Sequence, residues 1–249
     1  MTNQQFLDGF KLKYDRANNL SAPGIELNEI SIFATEAMEQ LILKKYNYKS
    51  NRNQEGFEET EKRIEDLAEL VRRAELIPLQ PNQIGNLKHG QFVILPNTLL
   101  INSTDYSNVY WLTLQEEAEI NKLDCEIVNN TDPYNLIYTR VEVKEIKHDQ
   151  YSIIKTDPFN KANKDRILRL RTEGLKQELI GDGSYKITKY FITYLRKPKP
   201  INLEINLNSQ VCELSDIIHR EILDETVRLV LKDTENTQRL QVENTEITE

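Results

Sequence analysis

An α+β fold, with an N-terminal helical bundle, a small antiparallel β-sheet domain and a C-terminal helix, is expected from three observations on this 249-residue chain. Residues 1–81 carry apolar side chains at spacings of three and four, the mark of helices packed on one face. Short segments that alternate apolar and polar residues follow, punctuated by Gly and Pro. A stripe of helical period then returns after Cys212. The expected division is 1–81 mainly helical, 82–231 a mixed β region closed by a helix, and 232–249 a polar tail.

In the first region Phe6, Phe10, Tyr14 and Ala17 form one stripe that ends near Asn18, and Ser21–Gly24 reads as a turn. Ile30, Phe33, Ala34, Ala37, Met38, Leu41 and Ile42 define a stronger helix from Asn28 to about Tyr46. Asn28 can cap it, with Glu29 favourable in its first turn. Residues 47–56 are a polar loop. Phe57, Ile64, Leu67, Ala68 and Val71 predict a third helix from Phe57 to about Leu76, stopped by Pro78 and Pro81.

Gln91–Pro96 reads as an edge strand, because a proline cannot continue a central ladder. Leu99–Leu114 suits either strand or helix, and both remain open. Cys125–Val128 and Ile137–Val143 are strand-like, and His148–Ile154 predicts one or two helical turns before the turn at Asp157–Phe159. Asp165–Arg171, Leu175–Ile180 and Tyr185–Leu195 then predict a three-strand meander. Gly181–Ser184 would be its second hairpin turn, since Gly supplies positive φ there. The basic run Arg196-Lys-Pro-Lys-Pro200 takes the chain out of the sheet. Leu214, Ile217, Ile218, Ile222, Leu229 and Val230 mark a helix from Glu213 to about Leu231, with Ser215 as its expected cap.

Composition bounds the function. Net charge is −8, with 39% hydrophobic and 29% charged residues, the profile of a soluble globular protein. An acidic balance argues against a broad nucleic-acid grip, which needs clustered Lys and Arg. Cys125 and Cys212 lie far apart with no Cys or His at ligand spacing, which points to reduced thiols rather than a disulfide or zinc framework. The first residues lack the basic and apolar regions of a secretion signal, and no run is long enough to span a bilayer.

No phosphate-binding glycine loop, nucleophile elbow or paired-histidine metal motif occurs. His89, His148 and His219 have no companions at spacings that predict convergence, so no catalytic, cofactor or metal residues are expected. An enzyme acting on nucleic acid or peptidoglycan would need His148 or His219 to meet Asp or Glu in a cleft. Two basic clusters remain. Arg196, Lys197 and Lys199 read as a proline-stiffened strand exit or as a contact for an acidic partner. Arg166, Arg169 and Arg171, near Lys161 and Lys164, form the second: Arg169 and Arg171 share one face of a strand and Leu168 and Leu170 the other, which reads as an exposed amphipathic strand or as an interface for an acidic subunit surface. The tail, with Leu240, Val242 and Ile247 as its large apolar residues, is either disordered or ordered against a neighbour.

The most specific pattern lies in the last hundred or so residues. It comprises Asp149, Asp157-Pro-Phe159, Arg169-Leu170, Tyr190 to Tyr194, Arg196-Lys-Pro198 with Pro200-Ile201, Glu213-Leu214, His219 and Glu221-Ile222. It resembles the ring, or head-to-tail connector, proteins of crAss-like bacteriophages and related short-tailed phages. Phe6, Tyr14, Glu29-Ile30 and the acidic helix after Phe57 are consistent with it. The resemblance implies a virion structural protein that forms a cyclic, dodecameric ring in the neck, binds portal and other neck or tail proteins, and surrounds DNA without binding it specifically. A tail hub or other tail adaptor is the alternative. The residues expected at subunit interfaces are Arg166, Arg169, Arg171, Arg196, Lys197, Lys199, Leu240, Val242 and Ile247.

Overall fold

In a computed structural model, residues 1–17, 24–46, 61–79, 87, 89–97, 108–122 and 138–233 are described. They form two compact units, each taken separately below. Unit 1 combines Met1–Leu70 with the chain from Pro198, and unit 2 is Val71–Lys197. The architecture is mixed α+β.

Unit 1 holds α1 (Asn3–Ala17), α2 (Leu27–Tyr46), α3 (Glu61–Leu67) and α5 (Ile218–Asp233). Helix α5 packs on α2 and α1, burying Ile222, Val227 and Val230 with Phe6, Phe10, Ala34, Met38 and Ile42. The closing helix therefore belongs with the N-terminal helices, not with the sheet that precedes it in the chain. A capping interaction differs from expectation: Asn28 lies inside α2, and Glu29 Oε2 accepts the Glu26 N–H at 3.0 Å. That reach-back from the third helical residue satisfies a donor at the helix start.

Residues 198–217 cross unit 1 with little regular structure and are held by side chains. The Asn3 amide donates to the carbonyl oxygens of Asn206 at 2.8 Å and Asn202 at 3.3 Å. Ser31 and Thr35 accept the Leu203 and Ile201 N–H groups at 3.2 and 3.0 Å. Helix α5 starts at Ile218 rather than Glu213, and the Ser215 carbonyl accepts the Ile218 N–H in a turn, so Ser215 does not open a helix at Glu213.

Unit 2 is a seven-stranded sheet with order β1-β7-β3-β4-β5-β6-β2. The strands are β1 (Val71–Leu76), β2 (Gly90–Ile94), β3 (Tyr110–Lys122), β4 (Tyr138–Ile146), β5 (Arg166–Arg171), β6 (Lys176–Ile180) and β7 (Tyr185–Arg196). Helix α4 (His148–Ile154), the short helix expected there, links β4 to β5. These two strands pair in parallel, so the sheet is mixed rather than wholly antiparallel.

Three expectations are overturned. The helix expected to run to Leu76 ends in a 3₁₀ turn at Ala68–Leu70, and Val71–Leu76 pairs with β7 from Val71–Leu195 to Leu76–Tyr190. Its Ala74 and Leu76 pack against the sheet core, so tertiary pairing overrides the helical spacing. The meander is also absent, because β6 pairs with β5 and β2 and never with β7. Finally, β5 is a central strand with both faces covered, not an exposed amphipathic one. The expected third-helix start at Phe57, the turn at Ser21, the strand at Cys125 and the tail lie outside the described residues.

The link from β6 to β7 sets the shape of the sheet. These strands are four places apart in the order, about 19 Å in a flat sheet at ~4.8 Å per strand. The five steps from Ile180 to Tyr185 reach at most about 18 Å when extended, and the link is bent, with Ser184 N–H donating to Asp182 Oδ1 at 2.8 Å. The sheet must therefore curl. It nearly closes: the Leu79 N–H, just beyond β1, donates to the Phe92 carbonyl of β2 at 2.8 Å. Ala118, Ile120, Val141, Val143, Ile167, Leu179, Ile187, Tyr190, Ile192 and Tyr194 form one core inside it. On the outer side of β4, β5 and β6, Ile146, Leu168, Leu170 and Ile180 are covered by Tyr151 and Ile154 of α4 and by Leu87.

Gly183 in the β6–β7 link has φ 88°, and an added Cβ would lie 2.6 Å from the His89 ring. Gly183→Ala is expected to destabilise the protein by about 1–3 kcal/mol. Gly174→Ala, at φ 61° but with open space around it, should cost about 1 kcal/mol. Urea unfolding of both variants checks the order.

Candidate interaction surface

The basic residues marked in the sequence do not form one surface. Arg169 lies on β5 beside Ile167 on the inner side of the curled sheet and is only 2% exposed. Its Nε donates to Glu116 Oε2 at 2.8 Å, Nη1 to Gln177 Oε1 at 2.8 Å, and Nη2 lies 2.9 Å from Glu145 Oε2. Three strands thus converge on one guanidinium. Burial pushes the Glu116 carboxyl above its ordinary pKa even though Arg169 draws it down. Burial lowers the Arg169 value, but Glu116 and Glu145 outweigh that and raise it. The Tyr190 hydroxyl sits beside Glu116 without completing a hydrogen bond, and burial raises its pKa as well.

Arg196 is also buried, at the end of β7. Lys197 is half-buried, and its N–H donates to the Val109 carbonyl at 2.8 Å. Lys199 is exposed, with its N–H on Glu213 Oε1 at 3.1 Å. Arg166 is half-buried and donates to the Phe159 carbonyl at 2.7 Å, whereas Arg171 is exposed. Of the nine expected interface residues, only Arg171 and Lys199 are exposed among those described. Leu240, Val242 and Ile247 lie outside the described residues.

The histidines do not converge. His148 Nε2 lies 2.6 Å from the Arg171 carbonyl. His219 is fully buried in unit 1, with Asp216 Oδ1 3.1 Å from Nδ1. Burial, followed by the Met1 amino group, lowers the His219 pKa, and Asp216 opposes them. Burial lifts the Cys212 thiol to about 11, which leaves it protonated and unreactive near neutral pH. Among the described residues, no group of three or more His, Cys, Asp or Glu side chains could hold a metal ion. No described helix is long and apolar enough to cross a membrane.

A different site was missed in the sequence. On the outer side of β1, β7, β3 and β4, Arg73, Gln115, Glu117, Arg140, Phe191 and Thr193 line an open pocket of about 270 Å³. The Arg140 guanidinium stands 4.4 Å from the Phe191 ring centre and that of Arg73 5.9 Å away. Both distances suit cation–π attraction. Arg140 Nη1 is 3.6 Å from Glu117 Oε2. The pocket could hold an anionic group of modest size. Its residues lie on four strands that are not consecutive in the chain, so local patterning carried no trace of it.

Similarity to known proteins bears on what such a surface is for. A family model described as phage tail ring protein 3/4 matches residues 1–240. Ring protein 3 of Bacteroides phage crAss001 is 29% identical over 244 residues, covering 93% of this chain and 95% of that protein. Ring protein 4/5 of the same phage is 25% identical over 244 residues, covering 92% of each.

Two variants test the internal chemistry. Arg169→Met strands the buried Glu116 carboxylate and should cost about 3–5 kcal/mol, whereas adding Glu116→Gln should recover much of that loss. Urea unfolding measures both. For His219, the unfolded chain takes up a proton near the ordinary value of 6.5 while the folded chain resists it. Stability should therefore fall as pH drops below about 6.5. His219→Gln should flatten this decline, read by circular dichroism in urea between pH 7.5 and 5.5.

Proposed function

The chain belongs to the phage tail ring protein 3/4 family, and from that membership we propose that it is a virion structural protein that assembles with its own copies into a closed ring. The observation that carries the reading is the extent of the match. It runs through both compact units and covers 93% of this chain and 95% of a protein named as a ring protein. A partial match would leave the assembling region in question.

In this reading the ring is dodecameric, sits in the neck between portal and tail, and continues the DNA channel. Its role is assembly rather than catalysis. The portal and other neck or tail proteins are its partners above and below. The net charge of −8 suits a wall past which DNA slides without being held. Each subunit of a closed ring offers two different faces to its neighbours. Arg171 and Lys199 belong to such faces, as does the tail with Leu240, Val242 and Ile247.

Electron microscopy of the purified protein, alone and mixed with the portal protein of the same phage, tests the reading. Closed rings of uniform diameter, stacking on the portal, are the expected outcome. A monomer at every concentration that ignores the portal would refute it.

A further inference from the structure

Charge is divided unequally between the two compact units. Unit 1 carries 24 Asp and Glu against 14 Lys and Arg, a net −10, and unit 2 carries 16 against 18, a net +2. The sum is the −8 of the whole chain. A ring of identical subunits needs two complementary faces on each one. A negative helical unit and a slightly positive β unit meet that need, since opposite potentials steer and orient association.

The pocket on the outer sheet face has the local chemistry to receive such a neighbour. Its lining holds two guanidinium groups, of Arg73 and Arg140, against one carboxylate, of Glu117. The Arg140–Glu117 approach of 3.6 Å is a single long contact, and the Arg140 side chain remains 54% exposed. Nearby, Lys189 and Glu75 pair with each other at 2.6 Å and neutralise themselves. The six lining residues thus hold one more cation than anion, with Glu119 opposite Arg140 and Glu142 opposite Glu117 at the edge of the same face. A further carboxylate could bridge the two arginines above the Phe191 ring, gaining charge-assisted hydrogen bonds.

Helix α2 presents a group of this kind. At 100° per residue, Glu29, Ile32, Glu36, Gln40 and Leu43 fall on one stripe, opposite the buried stripe of Ile30, Ala34, Met38 and Leu41. Ile32 is 65% exposed and Leu43 is 42% exposed, with Glu36 between them. The Gln40 amide donates to one Glu36 oxygen at 2.9 Å and leaves the other for a partner. Two aliphatic side chains around a central carboxylate match an arginine-flanked aromatic pocket.

We infer that the outer face of α2 in one copy docks on the β1–β7–β3–β4 face of the next copy, with the Glu36 carboxylate seated between Arg73 and Arg140. This rests on the ring reading above and names the surfaces that build the ring.

A charge swap tests it. Arg140→Glu should keep the wild-type circular dichroism spectrum and raise the concentration of half-assembly at least tenfold in sedimentation velocity. Glu36→Arg alone should do the same, and the chain carrying both should assemble near the wild-type concentration. If Arg140→Glu misfolds, Arg73→Glu paired with Glu36→Arg serves in its place. Rings unaffected by the single variants, or no rescue in the double variant, would overturn this docking while leaving the ring reading intact. A wild-type chain that never forms rings would overturn both. Loss of retardation of a double-stranded DNA probe, with assembly unchanged, would make the pocket a phosphate site and also overturn the docking.

Discussion

The fold of the β unit depends on a single constraint of reach. A short link joins β6 to β7, strands that stand four places apart in the sheet, and no flat sheet can satisfy it. Curling brings the two ends of the strand order together, where Leu79 and Phe92 share a hydrogen bond. It also creates an inner side. Once the inner side is closed off, an unpartnered polar group of that parity is costly, so apolar residues dominate it. The aromatic strand β7 supplies Tyr190, Ile192 and Tyr194 to that interior, and β3 supplies Ala118 and Ile120.

The same enclosure accounts for Arg169. In an open strand it would be an ordinary surface cation. Inside the curled sheet it neutralises Glu116, and it also reaches out to Glu145 near the rim. A buried pair of this sort contributes little net stability compared with an apolar filling, but it penalises any arrangement that separates the partners. Its effect is on register: β3, β4, β5 and β6 must sit so that Glu116, Glu145, Arg169 and Gln177 meet.

Arg169 and Arg196 are drawn inside, whereas on the outer face Arg73 and Arg140 flank Phe191. Unit 1 follows a different logic. Lys45 of α2 stands between Asp66, at 2.6 Å, and Glu221 of α5, at 2.8 Å, so one cation ties three parts of that unit. The chain thus separates internal charges that hold each unit from external charges available to a neighbouring subunit.

Much of this was legible in the residues alone. The apolar stripes of α1 and α2 needed only spacing, because a helix face is a local property. The extents of β6 and β7, the short helix α4 and the exit at Arg196-Lys-Pro198 also followed from local pattern and the backbone limits of proline. The order of elements near the C-terminus was enough to point to the ring-protein family. Tertiary structure decided the rest. It turned Val71–Leu76 into a strand, because β7 offered a partner that helical spacing could not reveal. It separated β6 from β7 and paired β4 with β5 in parallel. It placed Arg169 in a core and assembled the Arg73–Arg140–Phe191 pocket from four strands. These outcomes depend on which distant segments meet, and neither periodicity nor the identity of neighbouring residues carries that information.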